Sequence, residues 1–582
     1  MSSSWFRSKL QKVESRLDSL TKSRFYEVPE TEFWRSVDHD VASTSGGAPA
    51  VQPAQTGKTG TPTPQNQTLL QAFEWHTPGD HWNRLAEVVQ TLCDLGITSL
   101  WLPPGCKANS PQGNGYDCYD LWDLGEFDQK WTRATKWGSR EELDEMMAKA
   151  KSLGVKVIWD AVLNHKTAGD AKEECWAVEV DRGDHRIQTC APKKIEPWIH
   201  YYFPGRGDRY SSLKWHWQHF NGTDWDQRTE KNAVYKIVDA PETLPRPGAP
   251  VDPNWRKKDW ATDVDDCMGN GDYLMFSNVD YTNAEVREDV QKWGDWMVSE
   301  IGVDGFRLDA VPHFSWMFTH EWIRVAKEAA KRQHRDLFIM GEFYSGNVSK
   351  ILQWMDRMGQ GVYAYDIPLL GNFAKISMAK SKLDVDLRKV FKNALIQHRP
   401  NNAVTLVTSH DTQPGQTVET PVAPYFKPLA YAIMLLRREG LPCVFWGDVY
   451  GIKGPHPASA ACEGKLPTLV LSRKLFAYGE QTDYLESRTS IGWVRHGTWD
   501  RADGCAVIMS IGNTAKSSMF VGPAKVGQTW TDVLGNSGHT VTIDERGYGV
   551  FKCADKSVSV YVREDAPGRA DFGACHPEKF VI

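Results

Sequence analysis

Acidic residues stand at or just beyond the ends of four short apolar segments. In the segment "GFRLDAV", Arg307 and Asp309 are two residues apart, so both side chains point to the same face of a strand. Three other segments end close to an acid in the same way, at Asp160, Glu342 and Asp411. A helix cap or a salt bridge explains one such acid. Four that converge from separate strands repel one another and are costly to bury, which indicates a functional site made of carboxyl groups.

The elements that position these acids are eight apolar segments that alternate with amphipathic helical patterns. The segments are "LLQAFEW" (69–75), "TSLWLP" (98–103), "VKVIWDAVL" (155–163), "GFRLDAV" (305–311), "LFIMGEF" (337–343), "GVYAYDIP" (361–368), "VTLVTS" (404–409) and "PCVFWGD" (442–448). One intervening stretch, "SREELDEMMAKAKSLG", has helical periodicity and closes on a glycine. Eight strands of this kind predict an α/β fold with a closed (β/α)8 barrel, whose functional residues lie at the carboxyl ends of the strands.

The spacing of the segments divides the rest of the chain. The barrel is expected to comprise residues 69–165 and 282–482. The gap after the third strand is too long for one helix and is rich in Trp, Gly and Asp, which predicts an inserted subdomain over 166–281. Alternating strands and turns then predict a C-terminal antiparallel β-sandwich over 483–565, followed by a polar tail over 566–582.

The first 68 residues precede the barrel pattern. Residues 1–41 begin with apolar positions spaced by four and three, which predicts an amphipathic helical extension, at Phe6, Leu10, Val13, Leu17 and Leu20. Three roles stay open for it: docking on the main domain, contact with a membrane surface or a protein partner, and mitochondrial targeting. Residues 42–68 are rich in Gly, Pro and Thr and are expected to form a flexible linker.

Composition narrows the range of functions. The 582 residues are 41% hydrophobic and 24% charged, which is ordinary for a globular protein. The net charge of −6 gives no basic surface, so we expect no nucleic-acid partner. The 25 tryptophans fit either a bulky core or flat rings that stack on sugars.

Other features favour a cytoplasmic monomer. The chain does not open with a secretory apolar region, and no apolar run reaches the ~18 residues of a membrane span. The eleven cysteines form no CxxC pair, which argues against a zinc site and favours reduced thiols. Nothing in the composition requires an obligate partner.

Several motifs resemble the alpha-amylase family of glycoside hydrolases, in particular its liquefying bacterial and intracellular fungal members. They are "GYDCYDLWDLGEFDQK", "DAVLNHK", "YFPGRGDRYSSLKWHWQHFNGTDWD", "GFRLDAVPHF", "SHDTQPGQ" and "YFKPLAYAIM". The resemblance runs from about Leu69 to Glu564 and leaves the N-terminal extension uncovered. It implies the barrel, the inserted subdomain and the C-terminal sandwich, and an enzyme that cleaves α-glucan.

The resemblance also implies roles for the acids. Asp309 matches the nucleophile of a retaining glycosidase and Glu342 the general acid/base, while Asp411 matches the third acid, which binds sugar hydroxyls. Arg307 is then expected to keep Asp309 ionised, and Asp160 to hold Arg307. Glu342 must start protonated, so its surroundings are expected to raise its pKa.

Further positions match the family's binding residues. His165 and His410 match histidines that bind the sugar at the cleavage point, and Tyr116 matches the ring on which that sugar stacks. The family usually carries calcium between the barrel and the insertion, which requires oxygen ligands. The matching positions, expected to hold one calcium ion, are Asn164, Asp272, Asn278 and the backbone carbonyl of His313.

Some positions depart from the family pattern. Asn278 and Asn221 stand where relatives have aspartates, and two other acids of the extended metal cluster appear as Ala261 and Thr282. Lost charge weakens calcium binding and argues against additional metal ions. Near the acids, the changed residues are Thr408, Ser409 and Pro312, the last in place of a lysine that contacts the leaving side of the substrate.

Three functions therefore stay open. The first is retaining endo-hydrolysis of α-1,4-glucosidic bonds in starch, glycogen or maltooligosaccharides. The second is α-glucan transglycosylation, in which a sugar replaces water as acceptor. The third is a weakly active, amylase-like protein that binds glucan or regulates a partner, suggested by the changed residues and by the N-terminal helix.

Overall fold

A computed structural model describes residues 61–243, 257–485, 487–575 and 580. The predicted N-terminal helix, most of the predicted linker and the end of the C-terminal tail lie outside these residues. Within the described residues, no helix combines the length and the apolar character that crossing a bilayer would require.

Eight parallel strands close into a barrel, as the alternating segments predict. Each strand pairs with its neighbours in sequence order, and the first pairs with the last through Leu69 and Cys443. Their bounds are Leu69–Gln71, Ser99–Trp101, Lys156–Ala161, Gly305–Leu308, Phe338–Gly341, Val362–Tyr365, Ala403–Thr405 and Leu441–Phe445. The register places Arg307 of the fourth strand beside Asp160 of the third, so the charged residues of neighbouring strands meet.

Helices follow most of the strands and cover the outside of the barrel. The stretch "SREELDEMMAKAKSLG" forms the helix Arg140–Ser152. At its start the Ser139 side chain accepts from the Glu142 backbone N–H, and the Glu142 side chain accepts from the Ser139 backbone N–H. Gly154 follows its end with φ 71°, a conformation that favours glycine. The α-helices are His81–Leu95, Arg140–Ser152, Ala284–Trp296, Trp316–Arg332, Val348–Met358, Ile367–Ser377, Leu395–His398, Lys427–Leu436, Trp446–Tyr450 and Leu466–Phe476.

The insertion after the third strand, residues 166–281, is called domain B from here on. A six-stranded sheet occupies it and begins at His165, one residue before the expected boundary. Its strands are His165–Lys166, Cys175–Val180, Lys193–Ile195, Phe220–Asp226, Lys231–Ile237 and Ser277–Val279. Because its first and last strands pair with each other, both connections to the barrel leave domain B side by side. A short ribbon, Lys107–Ala108 with Cys118–Asp120, lies at the same end of the barrel.

The C-terminal domain consists of antiparallel strands. A six-stranded sheet packs with a two-stranded one, and several residues of the larger sheet belong to the same hydrophobic core as the barrel. The strands are Gln481–Tyr484, Ser490–Arg495, Cys505–Ser510, Ala515–Phe520, Thr529–Asp532, Val541–Thr542, Tyr548–Cys553 and Ser557–Arg563.

The last residues of the predicted linker are attached to the folded domains. The amide of Asn66 donates to the carbonyls of Arg473 and Ala477, at 3.1 and 2.9 Å. The buried guanidinium of Arg473 in turn donates to the carbonyl of Gln67 at 3.0 Å. The linker over 42–68 stays a prediction, and its last residues are hydrogen-bonded to the barrel domain.

Several of the tryptophans are buried in the hydrophobic core. Trp82, Trp137 and Trp354 are among the largest fully buried side chains of the barrel. Of the two explanations for the high tryptophan content, the bulky core accounts for these residues, whereas Trp75 faces the site described next.

Candidate active site

The guanidinium of Arg307 lies at the centre of the acidic cluster. Its Nη1 is 2.7 Å from Asp160 Oδ1 and 2.6 Å from Asp309 Oδ1. Its Nη2 is 2.6 Å from Oε2 of Glu342. One cation thus contacts acids from three neighbouring strands, and the carboxyl groups of Asp309 and Glu342 both lie against it.

Asp160 forms the buried base of this arrangement. Besides Arg307, its carboxylate accepts hydrogen bonds from the Tyr116 hydroxyl at 2.7 Å and from Trp101 Nε1 at 3.0 Å. These three donors satisfy a carboxylate that is 1% exposed. Asp160 therefore fixes both the guanidinium and the Tyr116 ring, and does not itself reach the cleft.

Exposure separates the acids that can touch a ligand from the residues that position them. The side chains of Arg307 and Asp160 are completely buried. Those of Asp309 and Glu342 are 10% and 13% exposed, and that of Asp411 is 31% exposed. Three carboxyl groups thus reach the opening at the carboxyl ends of the strands.

A tight turn beyond the seventh strand presents Asp411. The Ser409 hydroxyl accepts from the Asp411 backbone N–H at 3.3 Å, and Thr412 Oγ1 accepts from the Ser409 N–H at 2.8 Å. Gln71 fixes the His410 ring through a 2.8 Å contact to Nδ1. The changed residue Ser409 therefore still serves the turn that carries the third acid.

Three rings line one side of the opening. Tyr116 and His410 are parallel with their centres 5.1 Å apart, and Trp75 is parallel to Tyr116 at 6.0 Å. His165 contacts the Tyr116 carbonyl through Nε2 at 2.7 Å. Flat parallel faces beside carboxylates are suited to the apolar faces of a sugar ring.

Burial and neighbouring charge set the protonation of the acids. Burial is the largest influence on Glu342 and, together with the charges of Asp309 and Asp411, raises its pKa to about 8 against the opposing effect of Arg307. Burial also raises the pKa of Asp411. For His410, burial and the Arg307 charge lower the pKa, so this ring is neutral at physiological pH.

Two contributions to the site were missed from the sequence. Ala310 follows Asp309 in a left-handed conformation, with φ 50°, and its N–H donates to Glu342 Oε2 at 3.0 Å. Alanine gives no sign of a positive φ, so no pattern indicated it. Trp75 and Trp101 lie at the ends of the first two strands, and the reasoning applied to the acids would have found them.

The four positions expected to hold calcium lie together at the junction of barrel and domain B. Asn278 pairs with His165 in the sheet, next to Asn164, and its Nδ2 donates to the Asp272 carbonyl at 2.5 Å. The His313 ring contacts the carbonyl of Gly271, the neighbour of Asp272, at 2.8 Å.

The donors at this junction are oxygen atoms, the type of ligand that a calcium ion would take. The side-chain oxygens of Asn164 and Asn278 are buried without a hydrogen-bond partner, and Asp272 adds a carboxylate. Calcium prefers oxygen ligands of this kind, including backbone carbonyls such as that of His313. The part of the chain that the structure describes contains no group of three or more His, Cys, Asp or Glu side chains that could hold a metal, so the donors are mostly uncharged.

Sequence comparison assigns the class of protein. The family model for the alpha-amylase catalytic domain matches residues 74–503, and the model for the alpha-amylase C-terminal domain matches 507–562. The protein is therefore a glycoside hydrolase. It belongs to the alpha-amylase family.

Curated relatives resemble the chain over most of their length. A glucan 1,4-alpha-maltohexaosidase of Bacillus sp. (strain 707) is 39% identical over 503 residues, which are 86% of this chain and 93% of the relative. An alpha-amylase of Bacillus licheniformis is 38% identical and covers 86% of this chain and 94% of its own. The cytoplasmic alpha-amylase of Escherichia coli (strain K12) is also 38% identical, over 86% and 99% of the two chains.

Solved structures support the fold. An alpha-amylase of Geobacillus thermoleovorans, complexed with acarbose, superposes with a TM-score of 0.54 at 16% identity, over 86% of this chain and 99% of that one. A three-domain cyclomaltodextrin glucanotransferase gives the same TM-score of 0.54 at 15% identity, over 86% and 99%. These similarities establish the barrel architecture alone, which hydrolases and transferases share.

Proposed function

We propose that the protein hydrolyses internal α-1,4-glucosidic bonds of starch, glycogen or maltooligosaccharides with retention of configuration. The relatives named as alpha-amylases and as a maltohexaosidase support this substrate class. The observation that carries the proposal is the sharing of Arg307 between Asp309 and Glu342. A retaining glycosidase needs two carboxyl groups about 5–5.5 Å apart, one ionised and one protonated.

In the first step Asp309 attacks the anomeric carbon and Glu342 transfers its proton to the departing glycosidic oxygen. The bond to the leaving sugar breaks as the ester bond to Asp309 forms. In the second step Glu342, now ionised, removes a proton from water. The hydroxyl attacks the same carbon, Asp309 is released, and Glu342 regains its proton for the next cycle.

The remaining site residues are proposed to bind the sugar at the cleavage point. Asp411 accepts hydrogen bonds from its hydroxyls, and these bonds strengthen as positive charge develops on the ring. Tyr116 provides the stacking face. His410 donates to the sugar from Nε2 of a neutral imidazole, because its Nδ1 accepts from the Gln71 amide. His165 donates its Nε2–H to the Tyr116 carbonyl and supports the stacking face from there. Both histidines are buried, and burial lowers the pKa of each.

Calcium is proposed to have a structural role. When bound by Asn164, Asp272, Asn278 and the His313 carbonyl, it would join domain B to the loop after the fourth barrel strand, and it supplies no group to the reacting bond. The chain's own residues carry out each step of the reaction above.

We further propose that the enzyme is a cytoplasmic monomer. The E. coli relative is named as cytoplasmic. Its partner is the α-glucan substrate, with no role for nucleic acid. Contact of the N-terminal helix with a membrane surface or a protein stays a prediction.

Product analysis tests the function. Purified protein is incubated with soluble starch and with maltoheptaose, with Asp309→Asn as the control that keeps side-chain shape and removes the attacking charge. Steadily shorter chains, formed as α-anomers, are expected from the wild type. Longer and shorter products together would indicate transglycosylation, and unchanged glucan that still binds would indicate the weakly active binding protein.

A further inference from the structure

A buried charged cluster lies beside the calcium positions, where domain B returns to the barrel. Its members come from two strands, the segment between them and the residue after the second strand: Asn221, Lys258, Asp272, Asn278 and Asp280. Asp272 and Asp280 are 1% and 4% exposed. Two carboxylates this deeply buried require compensating positive charge or several N–H donors.

Lys258 provides the compensating charge for Asp280. Its ammonium lies 2.8 Å from Asp280 Oδ2 and donates to the Gln218 carbonyl at 2.9 Å, and its side chain is only 9% exposed. The other oxygen of Asp280 accepts from the Thr282 hydroxyl at 2.6 Å. Both carboxylate oxygens are thus satisfied within the protein.

N–H donors, and not a cation, satisfy the Asp272 carboxylate. Its Oδ2 accepts from Asn221 Nδ2 at 2.6 Å and from the Ala261 N–H at 2.5 Å. Asn278 Nδ2 donates to Asn221 Oδ1 at 2.8 Å, which fixes the orientation of both amides. The Asn278 oxygen is therefore turned away from this network and stays without a partner, as does the oxygen of Asn164.

We propose that the Lys258 ammonium neutralises Asp280 in place of a second metal ion, and that the Asn221 amide and the Ala261 N–H satisfy one oxygen of Asp272. The junction then takes a single cation, through the free oxygens of Asn164 and Asn278 together with Asp272 and the His313 carbonyl. A second cation would meet N–H donors and an ammonium where it needs oxygen ligands. The inference concerns the architecture of the junction and does not depend on the proposed substrate.

Replacing the ammonium tests its role as a cation. Lys258→Met is expected to lower the Tm in chelator by several degrees, because Asp280 stays buried without a counter-charge. The matched control is Lys257→Met, whose lysine is 57% exposed and is expected to leave the Tm unchanged. Added calcium or sodium should narrow the Tm gap between Lys258→Met and the wild type. No gap, or a gap that neither cation narrows, would overturn the proposal.

Metal stoichiometry provides a second readout, independent of activity. Atomic emission after dialysis against calcium is expected to give one ion per wild-type chain and two per chain of Asn221→Asp/Lys258→Met. In this variant a carboxylate replaces the Asn221 amide, and the competing ammonium of Lys258 is removed. A wild-type value other than one contradicts the proposal. If Lys258→Met does not fold, Lys258→Arg, which keeps the charge, must retain the wild-type Tm and stoichiometry for the proposal to stand.

Discussion

At the scale of single residues, Arg307 serves two carboxyl groups that need opposite protonation states. Asp309 receives a 2.6 Å contact from the guanidinium. Glu342 receives a similar contact from the same group, but burial and the charges of two neighbouring acids raise its pKa to about 8. The surroundings of the two carboxyl groups, and not their residue types, therefore determine which one acts as the nucleophile and which as the acid.

The pH dependence of the reaction follows from this division. Glu342 donates its proton in the first step, so kcat/KM is expected to hold at neutral pH and to fall as the pH rises through about 8. The measurement is a pH profile with maltoheptaose.

The matching control is Glu342→Gln, assayed with an aryl maltoside whose phenol leaves without a proton. The basic limb should disappear from its profile. If it persists at the same pH in the variant, another group is responsible for the limb.

Part of this site could be predicted from the sequence, because side chains alternate along a strand and barrel strands end at one rim. Those two rules put Arg307 and Asp309 on one face and Asp160 at the same rim, while the pairing of Asp160 with Arg307 came from the family resemblance. They could not place the Ala310 N–H on Glu342, because a left-handed alanine is forced by the surrounding packing and leaves no mark on residue type.

At the scale of elements, the turn after the fourth barrel strand joins the nucleophile to the acid. Ala310 has φ 50° and ψ 39°, and the residues Val311–His313 form a single 3₁₀ turn directly after it. This conformation costs a non-glycine residue on the order of 1–2 kcal/mol. The turn keeps it because the same peptide directs its N–H at Glu342.

Substitution of Ala310 tests the strain. Glycine adopts positive φ freely, so Ala310→Gly relieves the strain, but it also gives the unfolded chain more conformational freedom. Because the two effects oppose each other, the free energy of unfolding is expected to stay within about 1 kcal/mol of wild type. Ala310→Val places a β-branched residue there and should cost about 1–3 kcal/mol. Urea unfolding of the two variants gives the comparison, and equal stabilities would show that the turn is unstrained.

Element existence was easier to predict than element pairing. All eight barrel strands formed where apolar segments were found, although most are shorter than those segments, as Gly305–Leu308 is within "GFRLDAV". The sheet of domain B could not be derived, because its strands pair antiparallel across long insertions and composition gives no register. The hydrogen bond from Asn66 to the Arg473 carbonyl could not be predicted either, because polar composition does not show which groups find a partner.

At the scale of the whole molecule, the C-terminal domain and the barrel form one folding unit. Arg437, 2% exposed as a side chain, binds Asp483 through two nitrogens at 2.7 and 2.9 Å. Trp493 donates to the Leu436 carbonyl at 3.3 Å, and its ring lies in the shared core. Since buried contacts continue across the boundary, the two parts are expected to unfold together.

Substitutions of two adjacent arginines test whether this interface contributes to stability. Arg437→Met leaves Asp483 without its partner and should lower the free energy of unfolding by about 3–5 kcal/mol. Arg438→Met is the control, because Arg438 pairs with Glu480 at side-chain exposures of 48% and 83% and should cost less than about 1 kcal/mol. Calorimetry is expected to show one transition in the wild type. Two separate transitions, or equal effects of the two substitutions, would contradict the shared unit.

The assignment of Asp309 as the nucleophile is tested most directly by trapping the covalent intermediate. In Glu342→Gln, a maltosyl fluoride can glycosylate the enzyme because fluoride leaves without a proton, while the missing base slows hydrolysis of the ester. Peptide mass spectrometry after rapid quenching is expected to find the maltosyl group on Asp309, and on no peptide of Asp309→Asn/Glu342→Gln. A sugar attached to Asp411 or Asp160, or a β-configured product released without any attached sugar, would contradict the account.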